Sequence, residues 1–284
     1  MPIDRAAAET FIWSTARLLD RHRYAMLFEA GPAEPVLEAL RGYRNPDGGF
    51  GHALEPDVRC PSSQPSPTLS ALEILGEAGA AGGELAAGAR EWLAQIAGPD
   101  GSVPSATPGF DRYPHAPWYT AEPGSMLTFA LVATCHDGGA AVGEWLERAT
   151  DWCWHSIEET EKPAGYWLKF ALAFLDAVPD EERARTAIAT LAGRVDVSAV
   201  EPVGGVEGET LRPLDLSPRP GSRSRELVTG TQIDAHLDAV EDEQQEDGGW
   251  MFDWLAWSLA QTADWRAIVT IRALTWLRDS GRPI

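Results

Sequence analysis

Asn45-Pro46-Asp47-Gly48-Gly49-Phe50 returns in shortened form as Gly98-Pro99-Asp100-Gly101, and again inside Gln244-Gln245-Glu246-Asp247-Gly248-Gly249-Trp250. Each phrase places Asp before Gly where a helical stretch has just ended. Asn, Pro, Asp and Gly in that order suit a type I turn, and a following Gly takes positive φ without steric cost. Asp47 and Asp100 are 53 residues apart, and Asp247 follows after a further 147, close to three steps of 49. A period near 50 amounts to two helices and their connections, so about six such units account for most of the 284 residues. Fixed periodicity of this length predicts a repeat architecture.

The stretches between these phrases read as helices. Asp4 caps a first helix expected to run to about Tyr24, with Phe11, Ile12, Ala16 and Leu19 inward. Pro35 suits the first turn of a second. Further helices are expected over 65–77, 83–97, 123–136, 142–157, 166–178 and 180–194. Residues 222–229 and 231–243 read as two pieces broken at Gly230, and a last helix covers 261–279. β-type alternation is almost absent. The expectation is an all-α chain in a single domain, 1–284.

With 23 basic and 43 acidic residues, the net charge of −20 disfavours nucleic acid and anionic membrane, both of which need a basic face. No run approaches the roughly 18 apolar residues of a membrane span. Cys60, Cys135 and Cys153 are an odd count that fits free thiols in a reducing compartment. The start, Met1-Pro2-Ile3-Asp4-Arg5, has no apolar signal core, so a cytoplasmic protein is expected.

Four segments interrupt the helices: 44–64, 98–122, 195–222 and 244–260. They are rich in Pro, Gly, aromatic and polar residues, and long loops inside a compact domain are usually functional. Two helices separate the first from the second, four the second from the third, and two short ones the third from the fourth. An even number returns an up-down chain to the same end, so all four loops should gather at one mouth. Were the segment around Gly230 one continuous helix, the fourth loop would move to the opposite end.

The period, the helical hairpins and the 244–250 phrase resemble the QW-type repeats of squalene-hopene cyclases and protein prenyltransferase β subunits. That resemblance implies an (α/α)6 barrel, a ring of six inner and six outer helices. The chain is also similar to short actinobacterial prenyltransferase/squalene-oxidase-repeat proteins. The stretch from Asn45 to Asp57, Tyr113-Pro114-His115-Ala116-Pro117-Trp118 and Leu214-Asp215-Leu216-Ser217-Pro218-Arg219-Pro220 carry that second likeness. The Asp-x-Asp-Asp acid motif of class II cyclases is missing; Glu241-Asp242-Glu243 and Glu55-Pro56-Asp57 come nearest. The magnesium-binding Asp-Asp-x-x-Asp cluster of class I synthases is missing too. Asp151-Trp152-Cys153 copies a local string of the zinc prenyltransferases, but on the apolar face of a helix. Neither metal nor other cofactor is expected.

Asp57 or Glu55 in the first loop is the expected catalytic acid, since a carboxyl between apolar walls acquires a raised pKa. Either could instead pair with Arg59 and fix the loop. His115, flanked by Pro114 and Pro117, is a base or hydrogen-bond donor held by rigid neighbours, or a His bonded to a backbone carbonyl. His52, Gln64, Phe50, Trp118, Tyr119, Asp215, Arg219, Trp250 and Trp254 are the expected substrate contacts. Arg219 could hold a phosphate or carboxylate in bidentate fashion, and the aromatics could face a carbocation or stack on sugar rings. Three functions follow. One is a terpene-cyclase-like enzyme that protonates an isoprenoid in the central cavity. Another is a lyase, isomerase or hydrolase for a polar or saccharide-like substrate, and the third a non-catalytic binding barrel.

Overall fold

Asp4 opens the first helix, its carboxylate accepting the Ala7 N–H at 2.9 Å to cap α1 (Arg5–Thr15). In this computed structural model, residues 3–139, 143–161, 163, 165–195, 197 and 209–284 are described. The single helix expected to reach Tyr24 is two, because Arg17 is extended (φ −61°, ψ 156°) and α2 (Leu18–Phe28) begins after it. Arg17 turns away to donate to the Asp20 carboxylate and to the carbonyls of Ala53 and Leu54. The chain continues through α3 (Glu34–Arg41), α4 (Pro65–Glu77), α5 (Glu84–Ile96), α6 (Leu127–Asp137) and α7 (Glu144–Glu159). Then come α8 (Gly165–Ala177), α9 (Glu181–Ala192), α10 (Pro213–Leu216), α11 (Gly230–Asp242) and α12 (Leu259–Asp279). Among the described residues the only β pairing is two isolated bridges, Arg44 with Phe50 and Val58 with His115. Among the described residues no helix is long and apolar enough to cross a membrane.

Even-numbered helices line the interior and odd-numbered ones wrap them. Helix α6 buries every position from Thr128 to Cys135 but one, and α4, α8 and α12 are likewise buried on most sides. The outer helices α3, α5, α7, α9 and α11 bury one stripe and expose the other. Helix α4 packs on α6, α6 on α8 and α8 on α10. An Arg23–Glu77 fork, with bonds of 2.9 and 2.8 Å, joins α2 to α4. Helix α12 packs against both α1 and α2, returning the chain to its start. The fold is an all-helical α/α barrel.

The expected break at Gly230 sits one residue earlier. The Thr229 hydroxyl oxygen accepts the Gln232 N–H, and the Thr229 N–H donates to the Gln232 side-chain oxygen in return, a capping box that starts α11. The 3-10 turn before it (Arg223–Leu227) is not a traverse of the barrel. The partner of α11 is α10, four residues begun by Pro213 inside the third expected loop. The even count between the third and fourth loops therefore stands on a different pair. Residues 198–208 of that loop lie outside the described part.

One lock recurs three times. Asn45, Gly98 and Gln245 each donate their N–H to the residue four positions on and accept from the Gly three positions on. Asp47, Asp100 and Asp247 each accept the N–H two residues ahead. The next N–H, from Phe50, Val103 or Trp250, reaches a threonine hydroxyl on the following inner helix. The acceptors are Thr68, Thr128 and Thr270, at 3.1, 2.9 and 3.0 Å. Gly48, Gly101 and Gly248 have φ of 95°, 89° and 90°. A Cβ on any of them would collide with backbone of the next outer helix, at Gly88, Ala149 or Ala7. Gly248 meets α1, so the third copy of the lock closes the ring.

Gly248→Ala should lower the stability to urea by about 2 kcal/mol or more, since it adds left-handed strain to a backbone collision. Thr270→Val should cost about 1–3 kcal/mol by stranding the buried Trp250 N–H. Equal denaturation midpoints for wild type and both variants would contradict the lock.

Candidate functional site

Beyond the locks the loops interlock at one end. The Arg59 N–H donates to Pro114 O at 2.9 Å, and the Ala116 N–H to Asp57 O at 2.8 Å. Gln64 exchanges side-chain bonds with Thr107, its oxygen accepting the Thr107 N–H and its amide donating to the hydroxyl. The fourth loop and the start of α12 come over the first. Thr210, in the described part of the third, donates its N–H to Asp253 at 3.4 Å.

Asp57 stands where these segments meet. Its Oδ1 accepts Trp265 Nε1 at 3.0 Å, Gln261 Nε2 at 3.1 Å and Trp257 Nε1 at 3.2 Å. Gln261 and Trp265 are one helical turn apart on α12, begun by the Ser258 cap, so helix geometry aims both at one atom. Burial raises the Asp57 carboxyl above the usual range, and these donors, with Trp118, only partly offset it. With three bonds on Oδ1, Oδ2 is the oxygen left to carry a proton. Glu55 lies beside it, its Oε2 accepting the Asp57 N–H at 3.1 Å. Burial pushes Glu55 well up, and the neighbouring Asp57 charge pushes further.

The cations nearby are committed elsewhere. Arg59 pairs with Asp264 at 3.0 Å and not with Asp57. Arg17 spends itself on Asp20 and the loop carbonyls. Neither neutralises the raised carboxyls directly. His115 accepts no such role either: its Nδ1 donates to Tyr113 O at 2.7 Å, leaving Nε2 as the acceptor, and its ring meets Phe110 edge-on at 5.0 Å. Tyr119 meets the same Phe110, and its hydroxyl pairs with that of Ser66 at 3.1 Å. Burial raises Tyr119, which stays a neutral phenol.

The structure thus brings Glu55, Asp57, His115, Trp118 and Tyr119 together, with Trp254 joined edge-on to Trp265 at 5.0 Å. Other expected contacts sit elsewhere. Phe50 is wholly enclosed in the core, and Trp250 is buried with its indole on Val240 O. Gln64 is buried in its clasp. His52 is exposed at φ 56° and bonded to Asn45. Asp215 accepts the Arg212 N–H at the start of α10. Arg219 pairs with Asp137 at the far end of α6, the opposite pole from Asp57. Cys153 is buried and Asp151 exposed on α7. Gln261 and Trp265 went unread in the sequence because their spacing matches a core stripe.

A second polar group lies deeper. Lys169 on α8 feels the charges of both Glu73 on α4 and Arg272 on α12, although α6 separates it from the first. Only a shared interior permits this. Glu73 is accessible yet its surroundings raise it to about 7, as expected for a side chain facing an internal hollow. Burial lowers Lys169.

No family model matches the sequence, and no curated protein is similar to it. Solved structures are. A protein from Actinoplanes superposes with a TM-score of 0.56 at 20% identity, over 96% of this chain and 88% of that one. The type II terpene cyclase MstE from Scytonema, as a single-substitution variant with its product merosterolic acid A, superposes at 0.55 and 16% identity over 96% and 86%. A second variant of MstE, without ligand, gives 0.54 at 14% over 95% and 86%. At these identities the likeness establishes the fold.

Because Glu73 keeps its proton in the folded state to a higher pH than an ordinary glutamate, its stabilising contribution is whole below about pH 4.5 and is lost as pH rises through about 7. Glu73→Gln should therefore gain on the wild type between these values. Urea midpoints at mildly acidic and mildly alkaline pH check this; an unchanged difference would place Glu73 in bulk solvent.

Proposed function

We propose that the protein is a terpene-cyclase-like enzyme, a single barrel domain over residues 1–284 that takes an isoprenoid into its bore. Asp57 gives the Oδ2 proton to a terminal alkene carbon. The tertiary cation that forms is attacked by a second alkene of the same chain, and loss of a proton from carbon ends the sequence. The observation that carries this is the Asp57 carboxyl itself: burial raises its pKa while three N–H donors fix Oδ1 and orient the other oxygen. Glu55, its carboxyl also raised by burial, lies beside it as the group to resupply the proton. Nε2 of His115 is available to receive the proton at the end. Trp118, Tyr119 and Trp254 offer π faces to the cation. Phe50, Gln64, His52 and Trp250 serve the frame around them. The likeness in fold to the cyclase from Scytonema supports this reading, as does a turn lock repeated three times around the barrel. It needs no cofactor and is compatible with a cytoplasmic protein.

Glu73, Lys169 and Arg272 in the interior favour a second reading, a lyase or isomerase for a polar substrate that uses Asp57 and His115 as acid and base.

Asp57→Asn should reduce cyclisation of polyprenyl substrates by about 100-fold or more, and Glu55→Gln by less. Product formation followed by gas chromatography and mass spectrometry measures this. Full turnover in Asp57→Asn would remove the assignment, and turnover of saccharides in place of polyprenyl chains would favour the second reading.

A further inference from the structure

Three hydrogen-bond donors in the interior lack acceptors among the described residues. Arg272 Nε and Trp254 Nε1 are buried without a partner. Arg272 forms no ion pair and lies instead over the Trp276 ring at 4.9 Å and the Trp254 ring at 6.0 Å. Lys169 on α8 has the Tyr166 ring at 5.5 Å and, among the described residues, no ion pair. The acids of the neighbourhood are engaged or accessible: Asp215 holds the Arg212 N–H, Glu209 accepts the Tyr166 hydroxyl at 2.7 Å, and Glu73 faces the hollow. Buried donors without acceptors are costly, and although Lys169 feels the charges of Asp215, Glu73 and Glu209, none of these carboxylates bonds Arg272 Nε or Trp254 Nε1, so the unmet need is for an acceptor oxygen.

These donors also have a fixed relation to the acid. Trp265, which holds Asp57, and Arg272 are seven residues apart on α12, two turns or about 10 Å along the axis. Trp254 bridges them, edge-on to Trp265 and within reach of Arg272. An aromatic wall therefore runs from Asp57 to the cations.

We infer that Lys169, Arg272 and the Trp254 indole form an anion subsite that seats a carboxylate or diphosphate head group, with the hydrocarbon lying along the Trp254–Trp265 wall toward Asp57. This rests on the proposed cyclase reading for the hydrocarbon, and on the interior cations alone for the head group. The two chemistries share the bidentate, charge-assisted contact that a guanidinium makes with paired oxygens.

Intrinsic tryptophan fluorescence and calorimetry with farnesoic acid, farnesyl diphosphate and farnesol test it, alongside benzoate and inorganic pyrophosphate as anions without a prenyl chain. An anionic farnesyl ligand should bind about tenfold or more tighter than the alcohol. Lys169→Met and Arg272→Met should each remove most of that preference, whereas Lys169→Arg and Asp57→Asn should keep it. Preference for the acid over the diphosphate, or the reverse, identifies the head group. Should Lys169→Met fail to fold, Lys169→Gln takes its place. If benzoate or pyrophosphate binds in a manner dependent on Lys169 and Arg272 while no farnesyl ligand binds, the anion subsite stands and the isoprenoid reading fails. Equal affinity for acid and alcohol, a preference surviving both methionine variants, or no anion bound at millimolar concentration overturns the subsite.

Discussion

Where a long loop leaves a helix barrel, its first peptide N–H has no helical partner and no access to water. In this protein that N–H is given to a threonine hydroxyl on the next inner helix, three times over, by Thr68, Thr128 and Thr270. The threonine hydroxyl also donates back within the chain, Thr68 to Gln64 O and Thr270 to Arg266 O, so its orientation is fixed before the loop docks. A glycine at positive φ beside each lock lets the turn lie directly on the next outer helix. In the last copy that helix is α1, so closure of the ring uses the contact that spaces its units. The loops then leave in equivalent directions from one end. Residues 57 and 265 meet, some 200 positions apart in sequence, because both follow such a lock.

Two opposing effects set the state of Asp57. Burial disfavours its ionised form, while each N–H donor to a carboxylate favours ionisation, by about 1.5–3 kcal/mol for a bond to a charged group. Three donors would be expected to win in an open site, yet the carboxyl remains raised. The chemistry of the donors explains this. Two are indoles, which bring a hydrogen bond and a large apolar body together, so orienting the group also dries it. A guanidinium in their place would bring full charge and a depressed pKa. Arg59 is the nearest candidate for that, and Asp264, the residue preceding Trp265, holds it away. One turn of α12 thus supplies the donor that orients the acid and the anion that withholds its neutralising cation.

Periodic features were legible in the sequence and singular ones were not. The Asp-Gly phrases, the helical hairpins and the clustering of irregular segments all repeat, and repetition survives local ambiguity. The break at Arg17 does not repeat. It arises from a tertiary demand, the loop carbonyls of Ala53 and Leu54, on a stretch whose apolar spacing continues unbroken. Helix α10 was hidden because four residues cannot show helical periodicity, although Pro213 marks its start. Missing it also misplaced Arg219: a chain that crosses the barrel through α10 carries residue 219 to the far pole. Glu55 and Asp57 could be read as an acid pair from composition alone. Gln261 and Trp265 could not, since a residue pair one turn apart looks the same whether it faces a core or a carboxylate.

The charged interior and a hydrocarbon substrate are compatible only if charge is distributed along the bore. At the Asp57 end the groups are carboxyls raised by burial, neutral phenol and indole, with the local arginines bound to Asp20, Asp264 and backbone. At the other end Lys169 and Arg272 stand without ion pairs among the described residues. A carbocation about 10 Å from a fixed positive charge is repelled by about 2 kcal/mol at an effective dielectric near 20, against about 4 kcal/mol at 4 Å. Separation by two helical turns therefore halves the penalty on a cationic intermediate, and an anionic head group seated on the two cations would cancel most of what remains. The same head group would stop the chain from sliding past Asp57, so that the alkene protonated is chosen by length measured from the anion. Charge at the base and acid at the mouth then serve one end, the placing of a single double bond against Oδ2.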